Sequence, residues 1–237
     1  FRLLADPGGA FLVPSPSYPL FEPLAALEGV VLRPYRLAWD GAWRLDVDSL
    51  DRAFGPDVRG VIVVEPNHPT GSCLAAAERE RLVGLCARHG AALVADEVFG
   101  DFGRCGPLPG FVGEARVPTF VLSGLSKVCG MPQMKLGWIV ADGPAVAREA
   151  ALRGLEWIAD LFLSVSTPVQ VALPALLEAR GEFQRRVRER LARNLSALDA
   201  LVARRPELGV LPAQGGWAAV LRVPRSRTEE DWALGLL

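Results

Sequence analysis

The chain has 237 residues, of which 50% are hydrophobic and 22% are charged, and its formal net charge is −1. This is an ordinary globular composition, and the nearly balanced charge gives no reason to expect a nucleic acid or an anionic membrane as a partner. There is no apolar run of membrane-spanning length and no opening signal peptide, so we expect a cytoplasmic protein. No metal or disulfide spacing connects the four cysteines, which we predict to be reduced thiols: Cys73, Cys86, Cys105 and Cys129.

The first hundred residues alternate between predicted strands and helices. The predicted strands are short apolar or alternating segments at 10–13, 29–37, 58–64 and 91–95. The predicted helices carry apolar residues at spacings of three or four, and they lie at 21–27 and 75–88. Residues 39–46 are expected to form an exposed loop or strand that bends at Gly41.

The remaining residues predict the far side of the same sheet and the start of a second domain. A loop rich in Gly and Pro is predicted at 100–118, with strands at 119–122 and 136–141 and helices at 144–163 and 169–179. An apolar stripe then predicts a long helix and consists of Phe183, Val187, Leu191, Leu195, Leu198 and Val202. Strands of a second domain are expected at Val210 and 217–223.

We therefore predict an α/β fold whose mostly parallel sheet has helices on both faces, followed by the start of a smaller α+β domain. The first domain is assigned to residues 1–185, and the linking helix and the second domain to residues 186–237. The chain begins without Met at Phe1, in what looks like a helix end, and stops at Leu237 inside another apparent helix. We expect it to be a fragment of a longer protein.

Lysine is nearly absent from this chain. Of its 26 cationic residues only Lys127 and Lys135 are lysines, and all the others are arginines. An arginine stays charged, whereas a lysine amine can lose its proton and attack a carbonyl. Because the flanking residues are Ser, Gly, Leu and Trp, a lysine that forms a Schiff base is favoured over two solvated surface lysines.

Three further groups follow predicted strands. Tyr18 lies on a stiff Pro-rich loop, where its ring either packs or lies on a flat ligand. The loop 65–71, with the sequence EPNHPTG, lies where open α/β sheets bind ligands, and its His68 is a better functional candidate than His89, which we expect to cap a helix. Asp96 follows a buried strand, and it either caps a helix or faces a cationic partner.

Together with Lys127, these groups suit one kind of ligand. A pyridine aldehyde needs an aromatic ring to stack on, a donor to its phenolic oxygen, an acid that keeps its ring nitrogen protonated and a lysine that forms an imine. None of these groups is specific by itself, whereas the ordered set is.

The ordered motifs resemble those of the class I/II aminotransferases, which are fold-type I pyridoxal-phosphate enzymes, over nearly the whole chain. The matching stretches are PSYPLFE, Pro69-Thr70-Gly71, Asp96-Glu97, Ser126-Lys127 with Gly130, Lys135 with Gly137, and SVSTPVQ. The resemblance implies that Lys127 forms the internal aldimine with pyridoxal 5′-phosphate, that Asp96 pairs with the pyridinium nitrogen and that Tyr18 stacks on the ring.

Several positions depart from the family pattern around the cofactor phosphate. Lys135 replaces a phosphate-binding arginine, and a lysine offers one point charge where arginine offers a bidentate fork. Gly124 stands where the family has a serine, so Ser123 or Ser126 would serve the phosphate. The family's phosphate loop would precede the first residue, and its arginine for the substrate carboxylate would follow the last.

Two departures concern the phenolic oxygen of the cofactor. The family places an Asn donor directly before Pro-Thr-Gly, and this chain has His68 there, preceded by Asn67. The tyrosine that serves as the second donor is replaced by Phe99, which cannot donate. We favour His68 as the donor, with Asn67 as the competing candidate.

The resemblance implies an aminotransferase that moves an amino group between an amino acid and a 2-keto acid, with Lys127 as the general base, in a homodimer. Another fold-type I activity such as a β-lyase is the first alternative, because these residues serve the cofactor rather than one reaction. A regulator whose domain only binds cofactor and ligand, or an inert fragment, are the others.

Overall fold

A computed structural model describes residues 1–236, and the chain folds into nine strands, seven α-helices and one short 3-10 helix (Pro132–Met134) over that range. The strands are β1 (Ala10–Ser15), β2 (Val31–Trp39), β3 (Trp43–Leu45), β4 (Val58–Val64), β5 (Ala92–Asp96), β6 (Thr119–Gly124), β7 (Gly137–Asp142), β8 (Gly209–Val210) and β9 (Leu221–Arg222). The helices are α1 (Phe21–Leu27), α2 (Val47–Ala53), α3 (Ala76–His89), α4 (Leu125–Val128), α5 (Ala145–Leu161), α6 (Thr167–Val202) and α7 (Glu229–Leu236).

Seven strands form one sheet in the order β3-β2-β1-β4-β5-β6-β7. The five inner strands run parallel to one another, whereas the edge strands β3 and β7 pair antiparallel with β2 and β6. The carboxyl ends of the parallel strands therefore meet at one edge of the sheet, where α/β proteins place their ligands. The predicted mostly parallel α/β fold is confirmed.

Apolar side chains cover both faces of this sheet because neighbouring strand residues point to opposite sides. On one face, Leu50 of α2 and Leu82 of α3 belong to the core that includes Leu93 of β5. On the other face, Ala25 of α1 packs in a cluster with Phe11 of β1. Fully burying a leucine such as Leu82, whose exposure is 0%, stabilises the fold by about 1.5–3 kcal/mol.

The predicted helices at 169–179 and around the apolar stripe are in fact one helix, α6, of 36 residues. A glycine inside a helix costs only about 1 kcal/mol, so Gly181 does not interrupt it. Packing also favours continuity, because Phe183 occupies the space beside Gly130, where an added Cβ would lie 2.3 Å from the Phe183 ring. The boundary assigned between residues 185 and 186 falls inside this helix, and the domain division stays a prediction.

Three shorter segments also differ from the predictions. The strand predicted at 217–223 is reduced to β9, because the residues before it bond to a loop: Gly215 forms an isolated antiparallel bridge with Gly103. The short helix α2 was not predicted, although Asp46 caps it by accepting from Ser49 N at 2.9 Å. At the start of the chain, the expected helix end is a turn in which Leu4 N and Ala5 N donate to Phe1 O. The helix expected at the end is α7, and Leu237 lies outside the described residues.

The first half of α6 supports α4, the short helix that follows β6. Leu125 and Val128 of α4 share an apolar cluster with Leu173 and Leu176 of α6. Gln184, further along α6, donates to the Val128 carbonyl at 3.1 Å and to Asp101 Oδ2 at 2.7 Å. These contacts fix the position of α4 at the sheet edge. No helix within residues 1–236 is long and apolar enough to cross a membrane.

Candidate functional site

The four principal candidate residues lie at the carboxyl ends of four neighbouring strands. Tyr18 follows β1, His68 lies in the loop after β4, Asp96 is the last residue of β5 and Lys127 lies in α4 directly after β6. Since these strands are parallel, their ends share one edge of the sheet. The position of each residue follows from the strand that ends before it.

We call the neighbouring rings of Tyr18, His68 and Phe99 the aromatic series, and the Lys127 amine lies beside its last ring. The Tyr18 and His68 ring centroids are 6.2 Å apart, and the His68 and Phe99 centroids are 6.1 Å apart with their planes inclined by 20°. The Lys127 Nζ atom lies 5.6 Å from the Phe99 centroid and 5.5 Å from the centroid of Trp217. Tyr18 is 38% exposed, so its ring can accept a flat ligand without displacing core residues.

Asn67 and His68 have different surroundings although they are adjacent. Asn67 is buried, and its Nδ2 donates to Pro16 O at 3.1 Å and to Thr70 Oγ1 at 2.9 Å, while its Oδ1 accepts from Ser17 Oγ at 3.3 Å. Both of its polar atoms are therefore engaged within the protein. The partly buried His68 ring instead lies between the rings of the aromatic series.

Asp96 carries a half-buried carboxyl group without a cation beside it. Its only hydrogen bond within the described chain is accepted from Val98 N at 3.2 Å, and it forms no ion pair there. Burial raises the pKa of Asp96, and the Val98 bond opposes that shift. No helix starts directly after Asp96, so it is not a helix cap. A cationic ligand group would compensate this carboxylate, as a pyridinium nitrogen would.

The neighbouring acid, Glu97, follows β5 directly and has its own partner in the chain. Its Oε1 accepts from Phe111 N at 2.6 Å and so closes the loop between β5 and β6. Burial raises the pKa of Glu97 as well. Glu97 therefore stabilises the loop between β5 and β6. It also lines a cavity to which Asp96 does not contribute.

The candidate phosphate residues are separate from the aromatic series. Ser123 lines a cavity of about 370 Å³ together with Glu97, Trp138 and Arg180. The Ser126 side chain is half-buried and makes no hydrogen bond to residues 1–236. Lys135 is exposed, with a left-handed φ of 53°. It lies near the start of α4, since Leu125 N donates to the carbonyl of the following residue at 3.0 Å.

Trp217 was missing from the candidates because its segment was assigned to a strand of the second domain. Its indole packs edge-on against Phe99 at 5.3 Å and Phe102 at 5.0 Å. The Gly215-Gly216 pair before it was the available signal, since paired glycines allow close approach of two backbones. Sequence spacing alone could not show that this segment returns 90 residues later to the lysine.

The group of side chains fits pyridoxal phosphate by its donor set. It offers an amine, a half-buried carboxylate with no cation beside it in the described chain, a partly exposed ring for stacking and an imidazole that can donate. A ligand with an aldehyde, a basic ring nitrogen and a phenolic oxygen would use each of them.

Comparison with known proteins gives one consistent result. The family model described as aminotransferase class I and II matches residues 1–234. The tyrosine aminotransferase of Homo sapiens is 29% identical over 225 residues, which cover 93% of this chain and 49% of that protein. An S-alkyl-thiohydroximate lyase of Arabidopsis thaliana is 28% identical over 184 residues, which cover 75% of this chain and 39% of that protein.

A solved structure shows the same fold. The alanine aminotransferase of Pyrococcus furiosus aligns with a TM-score of 0.85 at 22% identity, over 100% of this chain and 61% of that one. The present chain spans about half the length, or less, of the curated relatives that it matches.

Proposed function

Because the chain belongs to the class I and II aminotransferase family, we propose that the whole protein is a pyridoxal-phosphate-dependent aminotransferase that acts on an amino acid and a 2-keto acid. The observation that carries this proposal is that the Lys127 amine and the Asp96 carboxylate, which has no cation beside it in the described chain, follow adjacent strands at the same edge of the sheet. When bound, pyridoxal 5′-phosphate supplies an aldehyde that condenses with amines and a pyridinium ring that withdraws electrons.

Lys127 has two tasks in this proposal. Its amine would hold the cofactor covalently, and when free it would act as general base on the proton at the substrate α carbon. Arginine could do neither, because it does not lose its proton near neutral pH. The half-buried position of Lys127 in a short helix limits how far the released amine can move.

Three side chains hold and orient the cofactor ring. Asp96 keeps the ring nitrogen protonated, because a buried carboxylate gains from an adjacent positive charge. Tyr18 stacks against the ring face. His68 would donate to the phenolic oxygen, because the Asn67 amide already donates to Pro16 O and Thr70 Oγ1. The engaged amide of Asn67 and the position of His68 among the aromatic rings support His68 as this donor.

The phosphate would be held by Ser126 and Lys135, with Ser123 as a weaker candidate. Ser126 and Lys127 share α4, and the contact between Leu125 and the residue after Lys135 holds Lys135 near this helix. Ser123 faces the cavity shared with Glu97 and Arg180. We also propose that the whole protein is a cytoplasmic homodimer, which sedimentation and cell fractionation would test.

A carbon–sulfur lyase is the second candidate. The Arabidopsis lyase is nearly as similar to this chain as human tyrosine aminotransferase is, at 28% against 29% identity. The residues described above serve the cofactor in either reaction. The two functions differ in whether the reaction needs an acceptor keto acid.

The first experiment tests cofactor attachment in the full-length protein. Incubation with pyridoxal phosphate followed by borohydride should fix the cofactor on the peptide that contains Lys127, as seen by mass spectrometry. The Lys127→Ala protein should lose this adduct, whereas Glu149→Gln, a change at an exposed residue of α5, should keep it. A native protein that remains unmodified at Lys127 would overturn the proposal.

The second experiment separates the two activities. The protein is given a panel of amino acids with and without 2-keto acids, and the products are identified. Amino transfer that depends on the keto acid supports the aminotransferase. Release of ammonia, a thiol and a keto acid from sulfur-containing substrates without an acceptor supports the lyase.

A further inference from the structure

The Lys127 amine has aromatic rather than polar neighbours. Within residues 1–236 it makes no hydrogen bond and no ion pair. Its Nζ atom instead lies 5.6 Å from the Phe99 ring centroid and 5.5 Å from the Trp217 ring centroid. Both distances lie within the range at which a cation is attracted by the face of an aromatic ring.

Trp217 belongs to a segment that is tied firmly to the sheet domain. We name residues 214–217 the strap. Gln214 N donates to Gly71 O at 2.7 Å, and Arg104 N donates to Gln214 O at 2.8 Å. Gly71 has a φ of 66°, and a Cβ added there would lie 2.6 Å from Gly215 O, so only glycine allows this approach.

The strap makes two further contacts with the same loops. Gly216 N donates to Phe102 O at 3.0 Å, and Cys73 N donates to Gln214 Oε1 at 3.0 Å. Trp217, at the end of the strap, is wedged edge-on between the rings of Phe99 and Phe102. The orientation of its indole is therefore set by contacts that do not involve Lys127.

We infer that Trp217 is a positioning residue for Lys127: together with Phe99 it forms an aromatic notch that holds the protonated amine beside the cofactor site. The inference rests on the proposed role of Lys127 as base. A base that takes a proton from a carbon becomes an ammonium ion, and two ring faces stabilise that ion where no carboxylate pairs with it. The second domain would thus complete the site.

Other titratable groups approach from neighbouring strand ends. Asp96 ends β5, His68 follows β4 and Tyr18 follows β1. None of them forms an ion pair with Lys127 in the described chain. Within residues 1–236 the amine lies over two rings and has no hydrogen bond or ion pair, so changing the Trp217 ring should alter how readily the amine reacts with an acylating reagent.

The test uses the full-length protein without cofactor and compares Lys127 with Lys135 by competitive labelling with trace acetic anhydride. The exposed Lys135 is an internal reference, because no aromatic ring faces its amine in the described chain. The measured quantity is the ratio of acetylated Lys127 to acetylated Lys135 as a function of pH. Trp217→Leu removes the ring face, Trp217→Phe keeps one, and Trp232→Leu changes a different tryptophan of the second domain.

At pH 8 we expect Trp217→Leu to raise this ratio about threefold or more, because a less stabilised ammonium ion frees more amine to react. Trp217→Phe and Trp232→Leu should stay close to the native ratio. The increase should become much smaller towards about pH 11, where an ordinary lysine amine is already mostly neutral. A ratio that does not change at pH 8, or an increase that keeps its full size at high pH, would overturn the inference, since the latter reports only better access.

A shape-preserving substitution covers the case in which Trp217→Leu does not fold. Tryptophan analogues with increasing numbers of ring fluorines keep the size of the indole and weaken its attraction for cations. Placed at position 217, they should raise the labelling ratio step by step at pH 8. A flat series would count against the notch. Because no cofactor is present, this outcome is independent of whether pyridoxal phosphate attaches to Lys127.

Discussion

Two parts of the site edge use their polar groups in opposite ways. In the proline loop, residues 65–71, Asn67 makes three side-chain hydrogen bonds, and the Asn67 and Gly71 amides donate to Ser72 O and Asn67 O. At the β5–β6 ends, within the described residues, the Asp96 carboxylate accepts one hydrogen bond, from Val98 N, and the Lys127 amine makes none.

The contrast separates residues that build the site from residues that serve a ligand. A buried polar group normally finds a partner, and leaving one without a partner costs stability. Where the protein supplies the partner, substitution should weaken the fold. Where it does not, substitution should spare the fold and damage ligand binding or chemistry.

The largest effect is expected for Asp96→Asn. Turnover should fall about 100- to 1000-fold, because an amide cannot hold a proton on the ring nitrogen. The cofactor-free protein should meanwhile become more stable at neutral pH. The folded-state pKa of Asp96 is raised, so its ionisation costs stability as the pH rises from about 4 through that pKa.

Steady-state kinetics and thermal unfolding between pH 4 and 8 measure both effects. Asp48→Asn is the matched control, since Asp48 is exposed and lies in α2. Near-native turnover in Asp96→Asn would mean that Asp96 does not serve the cofactor.

Glu65→Gln tests a mixed case, because this buried residue belongs to the proline loop yet has one oxygen without a partner. Its Oε1 accepts from Leu74 N at 2.9 Å, whereas its Oε2 has no partner in the described chain. Burial raises the pKa of Glu65 to about 7. Its ionisation therefore costs stability progressively between about pH 4.5 and pH 7, by an amount on the order of 3 kcal/mol.

The glutamine variant keeps the bond from Leu74 and should lose that pH-dependent cost. The free energy of unfolding from urea titrations at pH 5 and pH 8 measures the difference, with the exposed Glu149→Gln as control. If the native protein and Glu65→Gln show the same pH dependence, Glu65 is not ionising in this range.

Asn67→Ala should weaken the fold by about 2 kcal/mol, because it leaves buried partners unsatisfied in two loops. Ser17→Ala removes only the 3.3 Å contact and should cost less. Urea unfolding of the cofactor-free protein gives both values. Unchanged stability in Asn67→Ala would place Asn67 with the ligand-serving residues instead.

His68→Ala should have the smallest effect. Unlike Asn67→Ala, it should change cofactor binding rather than the stability of the fold. We expect cofactor affinity to fall about tenfold, as for the loss of one hydrogen bond to a charged group, with little change in the stability of the cofactor-free protein. His68→Asn should restore most of the affinity. Titration of pyridoxal phosphate by absorbance measures this, and native affinity in His68→Ala would favour another donor.

The strands and the edge at which the site lies could be predicted from the sequence. Runs such as residues 58–64 are apolar and β-branched, which leaves little choice but a buried strand, and parallel strands place their following loops together. Tyr18, His68, Asp96 and Lys127 therefore came from local sequence patterns together with one rule of topology.

The remaining features depend on contacts between distant segments. Asn67 and His68 are adjacent in sequence but have different surroundings. The partner that engages the Asn67 amide is Pro16, in a loop about 50 residues earlier. Ser123 and Ser126 are close in sequence, but Ser123 lines a cavity together with Glu97 and Arg180, and Ser126 does not. Trp217 lies beside Lys127 because hydrogen bonds between segments more than 100 residues apart hold the strap in place.

Because α6 is continuous, a tilt at one point displaces its whole length. Gln184 anchors it through hydrogen bonds to Asp101 and to Val128 of α4, the helix that carries Lys127. From there to Val202 the helix extends about 27 Å at 1.5 Å per residue, so a tilt of about 5° would displace its far end by roughly 2 Å. Such a displacement exceeds what the 2.7 Å bond from Gln214 to Gly71 can tolerate. If the domains close on a substrate, the strap must either move with the proline loop or release it.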